Sequence, residues 1–223
     1  MNKKVIGIIA KHRSDGVRPD LAIRDEVKQA IFDNGGIAIG IIYPNDDISH
    51  DLNINHNIDN FDLIINQLNL CDGIIFQGGN LTDHFELEIA KYCYINNIPT
   101  LGICAGQSVV AKAAGATIKE VSNKDKHYNV VDDYVHDVFV HKSSRFYSVV
   151  GSEILKVNSR HHYTIDSPGS LLVSAISDDG NIEVVEDEAK RYYVGIRFHP
   201  ESLYKKDSKM NNIFVDFLNK CKD

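Results

Sequence analysis

The sequence lacks any apolar run of transmembrane length, any Cys-x-x-Cys pair and any excess of positive charge. Its first four residues lead directly into a five-residue apolar stretch, which is too short for the apolar region of a secretory signal peptide. The cysteines show no paired spacing, which favours reduced thiols; they are Cys71, Cys93, Cys104 and Cys221. We therefore expect a soluble cytoplasmic protein with no membrane span.

Charge and length narrow the class of protein further. The formal net charge is −7 and the pI is near 5.8, which argues against nucleic acid or an anionic membrane as a partner. The 223 residues are 43% hydrophobic, which is ample for a core. No repeat, low-complexity tract or linker interrupts them, so we expect one domain over 1–223.

Apolar stretches alternate with helical patterns in the first half of the chain. Continuous apolar runs at 5–10, 37–43 and 73–76 predict strands buried on both faces, as in a parallel sheet. A polar loop over 11–19 and a surface excursion over 45–60 interrupt the pattern. The predicted helices cover 20–34, 61–70, 83–96, 108–114 and 207–220. This order predicts an α/β fold with an open, mostly parallel sheet and helices on both faces.

The second half of the chain has a different pattern. Its segments are short, rich in β-branched residues and separated by turn signals such as Asp178-Asp179-Gly180-Asn181. They predict additional short strands that extend or flank the main sheet, at 135–140, 146–150, 171–176, 182–185 and 193–198.

The stretch Gly102-Ile103-Cys104-Ala105-Gly106 has the pattern of a nucleophile elbow, a sharp turn between a strand and a helix. Two glycines allow the close backbone approach that such a turn needs. The start of the following helix favours thiolate over thiol, because its free N–H groups and dipole stabilise negative charge. We therefore predict that Cys104 is a nucleophile rather than a core thiol.

A cysteine nucleophile needs a base and a group that orients the base. His199-Pro200-Glu201 directly follows the last predicted strand, so His199 can act as the base and Glu201 can hold its other ring nitrogen. Taken alone, His199 is better explained as a half-buried structural imidazole, since most histidines do no catalysis. Its occurrence with an upstream elbow favours a catalytic pair, since such residues are distant in sequence and adjacent in the fold.

Attack on a carbonyl also needs donors for the oxyanion. The N–H of Ala105, which follows the nucleophile, and the Gly78-Gly79 pair after the strand at 73–76 are the candidates. The glycine pair is also compatible with a plain turn.

These motifs resemble the class I glutamine amidotransferase-like family, and within it the gamma-glutamyl-gamma-aminobutyrate hydrolase branch of gamma-glutamyl hydrolase-like peptidases. The resemblance spans nearly the whole chain and includes Val157-Asn158-Ser159-Arg160-His161-His162, close to the Val-Asn-Ser-x-His-His-Gln pattern of that branch. It implies a flavodoxin-like sheet. It also implies hydrolysis of a gamma-glutamyl amide through a thioester on Cys104.

The chain departs from that branch at four positions. Ala105 and Ser108 stand where the branch has Arg and Gln, Asn80 replaces the Asp after the glycine pair, and Tyr163 replaces the Gln after the two histidines. In the class, the Gln at the position of Ser108 helps to hold glutamine, so the resemblance implies an altered substrate. The expected substrate-binding residues are Gly78, Gly79, Asn80, Ala105, Ser108, His161 and His162.

The histidines leave two readings open. One of His161 and His162 lines the mouth of the site, or both lie on a solvated loop. A metal site that combines them with His127, His136 and His141 lacks the spacing of a strong zinc motif, so we predict neither metal nor organic cofactor.

The predicted function is a cysteine hydrolase of C–N bonds that acts on a small-molecule gamma-glutamyl amide. One alternative is a glutaminase subunit that supplies ammonia to a synthetase partner. A second is a non-catalytic protein with a binding or regulatory role, such as a sensor whose thiol is oxidised. The sequence does not identify the amine released. It is compatible with a homodimer.

Overall fold

A nine-stranded sheet forms the centre of the chain in a computed structural model that describes residues 3–14, 19–43, 61–79 and 84–221. The described strands are β1 (Val5–Ile9), β2 (Lys11–Ser14), β3 (Pro19–Ala22), β4 (Ile37–Ile41), β5 (Gly73–Phe76), β6 (Thr100–Ile103), β7 (Thr117–Glu120), β8 (Tyr128–Asn129), β9 (His136–Val140), β10 (Ile154–Val157), β11 (Ser159–Arg160), β12 (Tyr163–Ser167), β13 (Leu172–Ser177), β14 (Ile182–Glu186) and β15 (Tyr193–Ile196). The described helices are α1 (Asp25–Asp33), α2 (Phe61–Leu68), α3 (His84–Ile95), α4 (Ala105–Ala113), α5 (Lys124–His127), α6 (Arg145–Val150) and α7 (Ser208–Lys220), with a 3₁₀ turn at Pro200–Ser202.

The strand order in the main sheet is β10-β9-β13-β14-β15-β6-β5-β1-β4. The five strands from β15 to β4 are parallel to their neighbours, whereas β14, β13, β9 and β10 continue the sheet in antiparallel fashion. The predicted α/β class, with a parallel sheet extended by short C-terminal strands, is therefore confirmed.

Apolar side chains on both faces of the parallel strands explain why helices cover both sides. Along β5, Ile75 faces a core that includes α1, α6 and α7. Its neighbours Ile74 and Phe76 face the other core, which includes α2, α3 and α4. Because side chains alternate across a strand, a continuous apolar run supplies both cores at once. No described helix is long and apolar enough to cross a membrane.

The prediction of a strand over 146–150 is wrong, because this segment is the helix α6. Ser144 caps the helix by accepting a hydrogen bond from the N–H of Tyr147 (3.0 Å), and Gly151 ends it in the left-handed conformation. Phe146 and Val150, four residues apart, are buried on the same face of the helix. Capping and this spacing outweigh the β propensity of the two valines.

The prediction of a loop over 11–19 and a helix from residue 20 is also wrong. β2 and β3 pair as an antiparallel ribbon, and α1 begins only at Asp25. The side chain of Gln77 accounts for this arrangement: its amide accepts from the N–H of Arg24 (2.7 Å) and donates to the carbonyl of Ala22 (2.9 Å).

The helix predicted over 108–114 begins earlier, at Ala105. The excursion predicted over 45–60 lies outside the described residues.

Candidate active site

Cys104 lies alone between the end of β6 and the start of α4. Its backbone angles are φ 53° and ψ −108°, in the left-handed half of the map that a residue with a side chain rarely occupies. A strained residue of this kind persists only where the surrounding structure fixes it, and such residues cluster at active sites. The structure therefore has the geometry of the predicted elbow at the predicted residue.

Close backbone contacts leave no room for a side chain at either glycine of the elbow. A Cβ atom on Gly106 would lie 1.9 Å from the carbonyl oxygen of Phe76, at the end of β5. A Cβ atom on Gly102 would lie 2.5 Å from the carbonyl oxygen of Gly106. These contacts press the first turn of α4 against β5 and β6, so that the Gln77-Gly78-Gly79 segment comes beside Cys104.

The register of two neighbouring strands brings His199 to the same place. β15 pairs in parallel with β6, with Gly195 opposite Gly102 and Ile196 opposite Ile103. A Cβ atom built on Gly78 would lie 3.0 Å from Cε1 of His199 and 3.3 Å from Cβ of Cys104. The imidazole and the cysteine therefore flank the same backbone atom at the carboxyl edge of the sheet.

His199 is held by two buried side chains. Its Nδ1 lies 2.7 Å from Oε1 of Glu201, on the 3₁₀ turn that follows. Asn158 accepts from the backbone N–H of His199 (2.7 Å) and donates to its carbonyl (2.9 Å). Because Nδ1–H donates to the carboxylate, Nε2 is the nitrogen left for the thiol, and it has no other hydrogen-bond partner among the described residues.

Charge in this pair opposes the effect of burial. Burial raises the pKa of the Cys104 thiol and is the largest single cause, but the charge and hydrogen bond of His199 together with the charge of Arg197 outweigh it, and the net shift is downward. Burial lowers the pKa of His199, but the charges of Glu201 and Cys104 outweigh it and raise this pKa to about 10. Burial raises the pKa of the other three thiols, to about 11 for Cys71 and about 12 for Cys93 and Cys221. Of the four thiols, Cys104 is therefore the one whose thiolate the structure stabilises.

The lowered pKa of Cys104 predicts how the alkylation of this residue depends on pH. Only the thiolate reacts, so the rate constant for iodoacetamide should fall with decreasing pH at a midpoint below that of an ordinary thiol. In His199→Gln the charge of the imidazole is lost and only that of Arg197 still opposes burial, so the pKa of Cys104 should rise and the rate near pH 7 should fall about tenfold or more. Peptide mass spectrometry of Cys104 gives the rates. His162→Gln is the matched control and should keep the wild-type profile; an equal loss in both variants contradicts the ion pair.

Arg197 is a functional candidate that the sequence reasoning missed. Its side chain is only 2% exposed, and it donates to the carbonyl oxygen of Cys104 (3.0 Å) and to Oγ of Ser108 (3.1 Å). Its charge also helps to lower the pKa of Cys104. The available signal was a charged residue inside the otherwise apolar segment 193–198, where burial demands a partner.

The candidate oxyanion donors lie on both sides of Cys104. Ala105 is the first residue of α4, and the first N–H groups of a helix have no partner within it. On the other side, the carbonyl of Gly78 accepts from Nε of Arg24 (3.1 Å), and the aliphatic part of Lys11 packs against Gly79. Asn80, predicted to bind substrate, lies outside the described residues.

The two adjacent histidines occupy different environments. His162 is exposed and stacks on Tyr128, with ring centroids 4.3 Å apart. His161 is buried, which excludes the solvated-loop reading for this residue. Its ring meets His127, His136 and Glu183 in the interior, whereas His141 is exposed. Of the five histidines weighed together from the sequence, the structure thus brings three together, and Glu183 is a fourth member that the sequence did not indicate.

Comparison with known proteins identifies the class. The glutaminase domain of Trypanosoma brucei CTP synthase, solved with bound acivicin, superposes with a TM-score of 0.68 at 17% identity, covering 99% of this chain and 96% of that domain. The fold is thus that of the class I glutamine amidotransferases. Residues 4–201 match the family model of peptidase C26, and the chain belongs to this family.

Curated relatives include larger synthases. The glutamine-hydrolysing GMP synthase of Blochmanniella floridana is 29% identical over 155 residues, covering 62% of this chain and 27% of the synthase. The CTP synthase of Chlamydia muridarum is 26% identical over 192 residues, covering 72% of this chain and 36% of the synthase. The matched region therefore spans about a third of the length of these relatives or less.

Proposed function

We propose that the chain hydrolyses a gamma-glutamyl amide through a thioester on Cys104. The observation that carries the proposal is the strained Cys104 at the start of α4, with a lowered thiol pKa and the His199–Glu201 pair beside it. Membership of the peptidase C26 family supports the reaction class.

The reaction begins from the thiolate and imidazolium. The sulfur of Cys104 attacks the side-chain carbonyl carbon, a C–S bond forms, and the electron pair moves to the carbonyl oxygen, next to the N–H groups of Ala105 and Gly79. His199 gives its Nε2 proton to the amine as the C–N bond breaks. Water then attacks the thioester, His199 takes the proton, and glutamate leaves as the thiolate returns. Glu201 keeps the imidazole oriented throughout.

The surroundings of Ser108 support a substrate other than free glutamine. In the family pattern a Gln occupies this position and helps to hold glutamine, whereas Ser108 is buried and bound to Arg197. A serine hydroxyl tied to a guanidinium cannot reach a ligand as a long amide can. We therefore expect specificity to come from the amine portion of a gamma-glutamyl compound.

A second candidate is a glutaminase subunit. It is favoured by the names of the relatives, among them a glutamine-hydrolysing GMP synthase. Such a subunit would hydrolyse glutamine only when a synthetase partner is present.

The experiment is an assay of the purified chain alone on a panel of gamma-glutamyl amides with different amines, glutamine included. Amine release is measured together with the intact mass of the protein during turnover. A glutamyl adduct on Cys104 with one amine preferred over ammonia is the expected result. Activity on glutamine alone, and only with an added synthetase, would replace the proposal by the second candidate. Oxidant-dependent mass changes at Cys104 with no acyl adduct would favour the sensor.

A further inference from the structure

A second group of chemically capable side chains lies in the interior, apart from Cys104 and His199. His127 ends α5, His136 begins β9, His161 lies between β11 and β12, and Glu183 lies in β14. One possible ligand atom from each lies within 4.8 Å of the others, and all four residues are buried. Four separate elements therefore converge on one point of the core.

The hydrogen bonds around this group leave lone pairs facing one another. Nδ1 of His136 lies 3.2 Å from the carbonyl of Asp137, and Nδ1 of His161 lies 3.0 Å from the carbonyl of Tyr163. A carbonyl oxygen only accepts, so each Nδ1 carries the proton and each Nε2 has a lone pair. These two Nε2 atoms lie 3.8 and 3.6 Å from Oε1 of Glu183, which also accepts. None of the three atoms has a hydrogen-bond partner among the described residues.

His127 has the same arrangement with its nitrogens exchanged. Its Nε2 lies 2.9 Å from a carboxylate oxygen of Asp179 and 3.1 Å from the amide nitrogen of Asn181, which donates to the other oxygen of that carboxylate (3.0 Å). With the Nε2 proton shared with Asp179, Nδ1 is the nitrogen with a lone pair; Oγ of Ser159 is 3.4 Å from it and donates to the carbonyl of His127. All three histidines thus have one nitrogen fixed by a carbonyl or carboxylate. A histidine that binds a metal has this outer hydrogen bond, which fixes the tautomer and orients the ring.

We propose that His127, His136, His161 and Glu183 form a binding site for a divalent transition-metal ion, with Zn²⁺ as the expected occupant. Ligands about 2.0–2.1 Å from a tetrahedral zinc ion stand roughly 3.4 Å from one another, close to the separations of the two Nε2 atoms from Glu183. Imidazole nitrogens with one carboxylate suit zinc, whereas magnesium and calcium favour oxygen ligands.

The position of the site indicates a structural role. The guanidinium of Arg197 donates to the carbonyl of Cys104 and to Ser108 and also interacts electrostatically with Glu183, so its charge opposes cation binding. The ion would join the antiparallel strands β9 and β14 to the segments that carry His127 and His161. Its four ligands do not include Cys104, His199 or Glu201, so its presence is tested independently of hydrolysis.

Metal content of the tag-free protein tests the proposal. Protein stripped with a chelator, exposed to a small excess of Zn²⁺ and dialysed should retain one zinc per chain by elemental analysis. His162→Ala, which removes an adjacent but exposed histidine, should retain the same amount. Glu183→Gln should lose it, and Asp179→Asn, outside the proposed ligand set, should weaken binding about tenfold to a hundredfold. Cobalt substitution should give the intense visible absorption of a tetrahedral site in the wild type and in His162→Ala.

Three results would overturn the site: no stoichiometric zinc on the wild-type protein, undiminished binding in Glu183→Gln, or equal loss in His162→Ala. If Glu183→Gln does not fold, the Asp179→Asn titration and the cobalt spectrum decide instead. If the wild-type protein binds no metal but hydrolyses its substrate normally, a hydrogen-bonded water would occupy the cluster instead of an ion. The proposed function would not be affected.

Discussion

Replacement of Cys104 by alanine is expected to lower kcat for the gamma-glutamyl amide by at least about 10³-fold, because no other nucleophile replaces the thiolate. The fold should persist, since alanine is smaller than cysteine and keeps the same backbone requirement. The covalent adduct should disappear from the intact mass spectrum. Turnover with circular dichroism of the same sample gives both results.

Cys71→Ala is the matched control. Cys71 is also buried, but its pKa is raised to about 11, so it remains a thiol at neutral pH. The control should keep the wild-type rate and adduct. Hydrolysis that survives in Cys104→Ala, with an adduct on another residue, would contradict the assignment of the nucleophile.

Replacement of Gly106 by alanine is expected to have the largest effect on stability. The new Cβ atom would lie 1.9 Å from the carbonyl oxygen of Phe76, and both atoms belong to elements fixed by main-chain hydrogen bonds. To relieve this overlap, α4 must move away from β5. This movement should lower the free energy of unfolding by about 3 kcal/mol or more. A shift of Cys104 by about 1 Å would also lower turnover roughly 10²-fold. Urea unfolding and the amide assay measure the two effects.

Gly180→Ala separates this clash from the general cost of replacing a glycine. Gly180 has φ +82°, and an added Cβ atom there would have no neighbour within 4 Å, so the variant should lose only about 1–2 kcal/mol and no activity. Equal losses in the two variants would mean that the contact with Phe76 is not what fixes the elbow.

The parts of the site that the sequence predicted follow from local rules. An elbow needs small residues on both sides of its nucleophile, so Gly102 and Gly106 indicate the turn without any knowledge of its neighbours. Apolar runs such as 73–76 likewise indicate buried strands without any knowledge of their neighbours. Parallel strands place their carboxyl ends at one edge, so residues that follow β6 and β15 are expected to lie together.

Other features depend on contacts that a local pattern does not contain. α6 looks like a strand by composition, and only the Ser144 cap and the Gly151 terminus indicate a helix. The β2–β3 ribbon depends on Gln77, more than fifty residues away in the chain.

Buried charges are harder still to predict, because each is tolerated only through partners elsewhere in the fold. Arg197 is explained by the Cys104 carbonyl and Ser108. Glu183 lies 3.6 and 3.8 Å from Nε2 of two histidines on other elements, and the proposed ion would be the partner that all three share. The histidines themselves were visible in the sequence, but their convergence was not.

The ladder between β6 and β15 has an evolutionary consequence. Because Gly195 faces Gly102 and Ile196 faces Ile103, main-chain hydrogen bonds set the distance between sulfur and imidazole, and the connecting segments do not. Loops can therefore diverge, and a new leaving group can be selected, while the reactive pair is inherited unchanged. A directed-evolution library confined to those connections would sample specificity without risking the nucleophile.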